Sequence, residues 1–168
     1  LRENVVSLAR NIGYTPMSRK SSRALISFSI DTSGYATQPE TITLNKGLVA
    51  TSARFGNTSY MFSILNDITV PVLDNKAYFD NITIFEGTYT TNNFTIDSYT
   101  PNQRFILPNT GIDISTIRVI VKPTKNSSVK TTYTKADSIF DVTSDSTVFF
   151  VQEIEDERHE IIFGEGIF

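Results

Sequence analysis

His159 is the only histidine in the 168-residue chain, and it lies between Arg158 and Glu160. Imidazole is the side chain best suited to proton transfer near neutral pH. A catalytic triad or a multi-histidine metal centre needs further partners, and the chain has no second histidine and no cysteine. His159 therefore reads as a strand-edge histidine without a catalytic role. Around it stand Glu153, Glu155, Asp156, Glu157 and Glu160, which could in principle supply the carboxylate pair of a glycoside hydrolase. Bunched on one turn, they read better as solvated or contact groups. The chain also has no tryptophan, the residue that usually lines a sugar groove.

Other chemical signals are weaker. Gly164-Glu165-Gly166 looks like half of a nucleotide-binding fingerprint, but no third glycine or opening helix follows. Asp137, Asp141 and Asp145 recur every four residues without the glycine and closing glutamate of a calcium loop. Four glycosylation sequons begin at Asn57, Asn81, Asn93 and Asn126, and two of them fall inside expected strands. Tyr60, Tyr78, Tyr89, Tyr99 and Tyr133 could build an aromatic ligand surface, although sheets use tyrosine routinely at half-buried positions. No cofactor, metal or small-molecule substrate is expected.

Charge narrows the partners. The net charge of −3 gives no case for nucleic acid. Its distribution is uneven: residues 1–30 carry Arg2, Arg10, Arg19, Lys20 and Arg23 against Glu3 alone, and residues 151–168 carry six carboxylates against Arg158. Such ends could pair head to tail between copies, or both could be solvated faces. Without cysteine there are no disulfides, and no apolar run approaches the length of a membrane helix. No signal peptide is visible, so a soluble protein is expected. A start at Leu1 and a stop at Phe168 suggest a piece of something larger.

The elements that must hold these residues are mostly strands. One helix is expected, over residues 1–12, where Leu1, Val5, Leu8 and Ile12 form a stripe ended by Gly13 and Pro16. Elsewhere β-branched and aromatic residues dominate the apolar set, and threonine occurs 22 times. Residues 24–30 alternate, with Ala24, Ile26, Phe28 and Ile30 on one face. Residues 41–44 lead to a turn at Asn45-Lys46-Gly47, and 48–55 and 59–65 make a hairpin at Gly56-Asn57. Pro71 confines 68–73 to an edge or strand end. Strands at 79–86 and 88–96 are expected to meet at Glu86-Gly87. Further strands are expected at 105–107, 116–121 and 129–133, with a closing hairpin of 148–154 and 159–163. Residues 135–140 are ambiguous between strand and a helical turn.

This rhythm predicts a mainly β protein of two small antiparallel sandwich- or barrel-like modules with a short N-terminal helix. The expected division is 1–20 for the helix and opening segment, 21–97 for the first module and 98–168 for the second.

Both ends of the chain resemble a known family. Asn4-Val5-Val6-Ser7-Leu8-Ala9-Arg10-Asn11-Ile12-Gly13-Tyr14-Thr15-Pro16-Met17-Ser18 is similar to the helix and N-x-G-Y-x-P-x-S opening of baseplate wedge proteins from contractile-tailed bacteriophages. Phe150-Val151-Gln152-Glu153, Asp156 and Ile162-Phe163-Gly164-Glu165-Gly166-Ile167-Phe168 resemble the closing signature of that family. The T-even-type wedge ring protein and the wider J-type baseplate family are the kin it suggests. Those kin often have a glycine in the hairpin turn after the aspartate, where this chain has Glu157-Arg158, and their signature usually runs on past Phe168.

The resemblance implies a structural virion protein of the phage tail baseplate. It would assemble in several copies around the tail hub, pair with itself and with other wedge proteins, and rearrange when the sheath contracts. It carries over no catalytic, cofactor or metal residue, and implies no nucleic-acid or membrane partner. Two interface candidates come from the residues themselves: the stripe Leu1, Val5, Leu8 and Ile12, and the acidic turn Glu155, Asp156, Glu157 and Arg158. The alternative is a carbohydrate-binding or adhesin-type β module of a tail fibre or cell-surface protein.

Overall fold

The computed structural model describes Val5, Leu8 and residues 18–54, 56–96, 103–138, 142–143 and 145–163. It is strand-rich, with eleven strands in two sheets among these residues. The chain divides into two compact units, one of Ser21–Thr91 and the other of Leu1–Lys20 with Asn92–Phe168.

The Ser21–Thr91 unit holds β1 (Arg23–Asp31), β2 (Thr41–Leu44), β3 (Gly47–Thr51), β4 (Met61–Ile64), β5 (Ile68–Leu73) and β6 (Lys76–Glu86). The eleven-residue β6 organises it. β1 runs antiparallel along one edge of β6 from Arg23↔Phe85 to Asp31↔Lys76. The other edge takes β4 at Phe62↔Glu86 and β5 at Val72↔Ala77. β2 pairs with β5, Leu44 opposite Ile68, and β3 pairs with β4, Gly47 opposite Ile64. Only Asn45 and Lys46 separate β2 from β3, so these two strands form one interrupted row beside β4 and β5. The expected turn at Asn45-Lys46-Gly47 is thus a corner between the two strands. The Lys46 amide donates to Asp67 Oδ1 at 2.8 Å across it, fixing the bend in both rows.

The core of this unit is Ile64, Ala77, Phe79, Ile82 and Ile84, with Phe28 stacked on Phe79 at 5.0 Å. Ala77 and Phe79 share a face with Ile82 and Ile84 only because one residue is looped out between the pairs. Register shifts at that point: Ile26 faces Ile82, but Phe28 faces Phe79. Asn81 takes the strain with φ 54°, and its amide donates to Ser27 Oγ at 3.0 Å. Such a bulge restores the inward phase of a strand whose apolar residues fall out of step. Asp74 and Asn75, both at positive φ, form the two-residue turn from β5 to β6, a class whose twist suits a hairpin.

Fully buried Thr32 latches the loop after β1 to this turn. Its amide donates to Asn75 O at 2.8 Å and its hydroxyl to Gln38 Oε1 at 2.9 Å. Gln38 Nε2 donates in turn to Asn75 Oδ1 at 2.7 Å.

The hairpin expected at Glu86-Gly87 does not form, because both edges of β6 are already occupied. Gly87 (φ 120°) turns the chain back onto β4, its amide donating to Met61 O at 2.8 Å and its carbonyl accepting from Ser63 Oγ at 2.9 Å. Residues 88–96 contain no strand.

The other unit holds β7 (Phe105–Ile106), β8 (Val119–Val121), β9 (Thr131–Lys135), β10 (Val148–Glu153) and β11 (His159–Ile162), in the order β7-β11-β10-β9-β8. The closing hairpin forms as expected, Phe150↔Ile162 to Glu153↔His159. One pair departs from the antiparallel pattern: β10 lies parallel to β9, Val148 opposite Thr134. The long connection after β9 permits this, since a parallel partner needs a crossover of roughly a dozen residues. The strand expected at 116–121 starts later, because Asp113 caps a 3₁₀ turn at Ile114–Thr116. Phe149, Leu107 and Ile161 form the core. Phe163 bridges Phe105 and Tyr133 edge-on at 5.5 and 5.6 Å, and Phe94 meets Phe105 in the same way.

The predicted N-terminal helix is not among these elements. Val5 and Leu8 have helical backbone and are 61% and 66% exposed, while Leu1 and Ile12 lie outside the described residues.

Candidate functional site

The chemistry-bearing residues of the closing hairpin sit in two layers. At the tip, Ile154 accepts no side-chain cap, but its amide donates to Arg158 O at 2.8 Å, closing the turn. Glu155–Glu157 form a single 3₁₀ turn in which Asp156 and Glu157 both have left-handed backbone, φ 59° and 57°. Glu155 and Asp156 are exposed, and Glu157 and Arg158 are half-buried. Arg158 Nη2 stands 3.7 Å from Asp156 Oδ2, a loose local pair.

Below the tip the hairpin is closed. Glu153 and His159 are buried and face one another in register across β10 and β11. Next to them Glu160 is buried and faces Gln152. Arg104 clamps the Glu160 carboxylate with both prongs of its guanidinium, Nε to Oε1 at 2.7 Å and Nη2 to Oε2 at 2.8 Å. Gln152 Nε2 adds a third donor at 2.9 Å. A forked guanidinium matches a carboxylate in geometry as well as charge. The hydrogen bonds from Arg104 hold the Glu160 carboxyl below its ordinary range, outweighing the opposing effect of burial, and Gln152 assists. The same pair raises the Arg104 pKa. An ionised carboxylate saturated by three donors has little to offer as an acid or base at neutral pH. Its chemical role is to lock β11 against the segment that carries Arg104.

The opening segment reaches this hairpin. The Ile114 amide donates to Ser18 Oγ at 3.1 Å, and Ser18 Oγ donates to Arg19 O at 3.0 Å. Ser18 is the last residue of the opening motif, so the motif ends on the 3₁₀ turn that Asp113 caps. Arg19 then extends past Gly111, where an added Cβ would meet its Cδ at 3.6 Å, and pairs with Glu157. Sequence reading missed Arg104, Ser18 and Asp113. Only the resemblance of the opening motif pointed toward Ser18, and a lone arginine such as Arg104 gives no signal before the sheet forms.

The remaining candidates scatter. Asp137 pairs with Lys135, two residues away, and Asp141 and Gly164-Glu165-Gly166 lie outside the described residues. Among the described residues no group of three His, Asp or Glu side chains is arranged to hold a metal ion, and no helix is long and apolar enough to cross a membrane. Tyr133 is packed on Phe163, Tyr89 lies under Lys46 Nζ at 5.7 Å, and Tyr99 lies outside the described residues. Of the four described, Tyr60 and Tyr78 are exposed.

No curated protein matches the chain. Residues 93–168 match the family model described as the third domain of bacteriophage baseplate wedge protein gp6. That stretch spans the Arg104–Glu160 lock, the 3₁₀ turn that receives Ser18 and the closing hairpin. Over those residues, just under half of the chain, the protein is similar to the gp6 third domain, which supports reading it as a fragment of a phage tail baseplate wedge protein.

Proposed function

We propose that this chain works as a non-catalytic subunit that assembles around the tail hub and rearranges when the sheath contracts. The match of residues 93–168 to a baseplate wedge domain carries the reading. The site geometry supports it: the buried Glu160 carboxylate is spent on an ion pair that holds two segments together, and the histidine is buried in a hairpin. Partners would be further copies of itself and other wedge proteins, without nucleic acid, membrane or small-molecule substrate. The division into an opening segment of 1–20 and modules at 21–97 and 98–168 belongs to the same reading, supported by two compact units between which the chain passes at residues 91–92.

Two surfaces are the contact candidates. One is the stripe Leu1, Val5, Leu8 and Ile12, supported by the exposure of Val5 and Leu8. The other is the turn Glu155, Asp156, Glu157 and Arg158, supported by the outward Glu155 and Asp156. Co-assembly with the other wedge proteins tests both. Reversing the charges of Glu155 and Asp156, or changing Leu8 to Asp, should reduce incorporation while circular dichroism stays unchanged. Full incorporation of both variants across a range of salt would remove these surfaces from the reading.

A further inference from the structure

We propose that β1 is a self-pairing edge: two copies of this chain join β1 to β1 antiparallel, centred on Ser27. This rests on the reading of the chain as a self-associating subunit and names the contact. Among the described residues β1 bonds to β6 alone, so its far side is an edge nine residues long.

The backbone sets which residues face that edge. The Glu86 amide donates to Ser22 O and the Thr32 amide to Asn75 O, both at 2.8 Å. Backbone groups alternate in direction along a strand, and the bulge lies on β6, so the alternation along β1 is unbroken. Even-numbered residues of β1 therefore bond to β6, and Leu25, Ser27 and Ser29 present their amides and carbonyls outward. Natural edges of this length are guarded by charge, proline or a bulge. Residues 24–30, ALISFSI, carry no charge, proline or glycine.

A second copy fits this edge by its own sequence. Pairing centred on Ser27 sets odd residues against odd, as the backbone direction requires. Arg23 then faces Asp31 of the second copy at both ends of the ribbon, and both residues are exposed. The other registers allowed by backbone direction lose these two ion pairs. On the inner face Ile26 meets Phe28 of the second copy and Ala24 meets Ile30, so the apolar row, half-buried at Ile26, Phe28 and Ile30, continues across the axis. A two-fold contact must be self-complementary in this way.

The test uses the 168-residue chain, whose lack of cysteine makes an introduced thiol unique. Two Ser27 residues would face each other with Cα atoms about 5.5 Å apart, within disulfide reach. Ser27→Cys should give a covalent dimer on mild oxidation. Ser29→Cys should not, because its two copies lie roughly 14 Å out of register. A mixture of Leu25→Cys and Ser29→Cys chains should cross-link to each other, which covers the case where Ser27→Cys folds poorly. Arg23→Asp or Asp31→Arg alone should weaken dimerisation by roughly tenfold or more, and the double variant should restore it. A monomer at high concentration by sedimentation equilibrium, equal cross-linking of Ser27→Cys and Ser29→Cys, or a dimer indifferent to the charge variants would each overturn the proposal. Co-assembly with wedge proteins, measured beside these, distinguishes the failures: its persistence leaves the subunit reading standing while β1 pairing falls.

Discussion

Arg19 Nη2 lies 3.3 Å from Glu157 Oε2, a contact made across 138 residues of chain. It joins the basic opening of the sequence to its acidic close within one molecule. The charge asymmetry that could have paired neighbouring copies is answered, at this position, inside the chain. Both side chains remain substantially exposed, 75% and 40%, so the pair positions the segment more than it stabilises the fold.

The backbone under Glu157 is less favourable than its ion pair. A non-glycine residue held near φ 57° carries a left-handed cost of about 1 kcal/mol, and an exposed ion pair returns less than about 0.5 kcal/mol. Glu157→Gly relieves that cost but loses the ion pair and adds about 0.4–1 kcal/mol of unfolded-state entropy, so it is expected to stay within about 0.5 kcal/mol of the parent, read as a nearly unchanged midpoint in thermal unfolding. The variant should gain relative to the parent at high salt, where screening removes the pair from the parent protein. A midpoint lower by several degrees in both salts would show that the turn depends on the Glu157 side chain.

Glu160 makes stability depend on acid. Its folded carboxyl titrates below its unfolded value because Arg104 and Gln152 stabilise the charged form. The stability it contributes is fully present above the unfolded pKa and is lost as pH falls through the lower, folded one. Glu160→Gln should cost on the order of 1–2 kcal/mol at pH 7 and should flatten the decline in stability below about pH 4.3. Arg104→Ala should cost more, because it leaves a buried carboxylate with one side-chain donor of the three. Chemical denaturation from pH 7 to pH 3 measures both, and an unchanged acid slope in Glu160→Gln would contradict the assignment.

Asn81 sets the phase of β6. Deleting it would close the bulge and turn either Ala77 and Phe79 or Ile82 and Ile84 away from the core. The variant is expected to lose the fold of residues 21–91. Asn81→Gly keeps the extra residue and tolerates the positive φ, so it should stay within about 0.5 kcal/mol of the parent. Amide exchange across β1 and β6 separates the two outcomes.

The two cores should fail separately. Phe79 and Phe149 are each essentially fully buried, one in each unit. Truncation of either to alanine should cost about 3–5 kcal/mol. Hydrogen exchange should then show protection lost in β1 and β6 for Phe79→Ala, and in β10 and β11 for Phe149→Ala. Loss of protection in both units from one substitution would show that they fold as one.

Much of this was legible in the residues. Alternation placed Ile26, Phe28 and Ile30 inward along β1, and the run around His159 gave the closing hairpin with its turn, because both signals are local. The family resemblance came from motifs at the two ends, and its later half coincides with the matched residues 93–168. What the sequence could not carry was pairing between distant strands. Residues 88–96 had strand chemistry but found no open edge on β6. The turn expected at Asn45-Lys46-Gly47 forms, but that it is a corner was decided by β4 and β5, which bend beside it.

The same limit applied to the site. Composition alone argued against a histidine-based or thiolate centre, since those chemistries need residues the chain lacks. That Glu160 is a structural ion pair rested on Arg104, 56 residues earlier, reaching it once β7 and β11 were side by side. Local chemistry thus fixed which segments are strands and which residues could react. Only the tertiary structure decided which strands are neighbours, and therefore which charges are locked, which are exposed and which edge is left open.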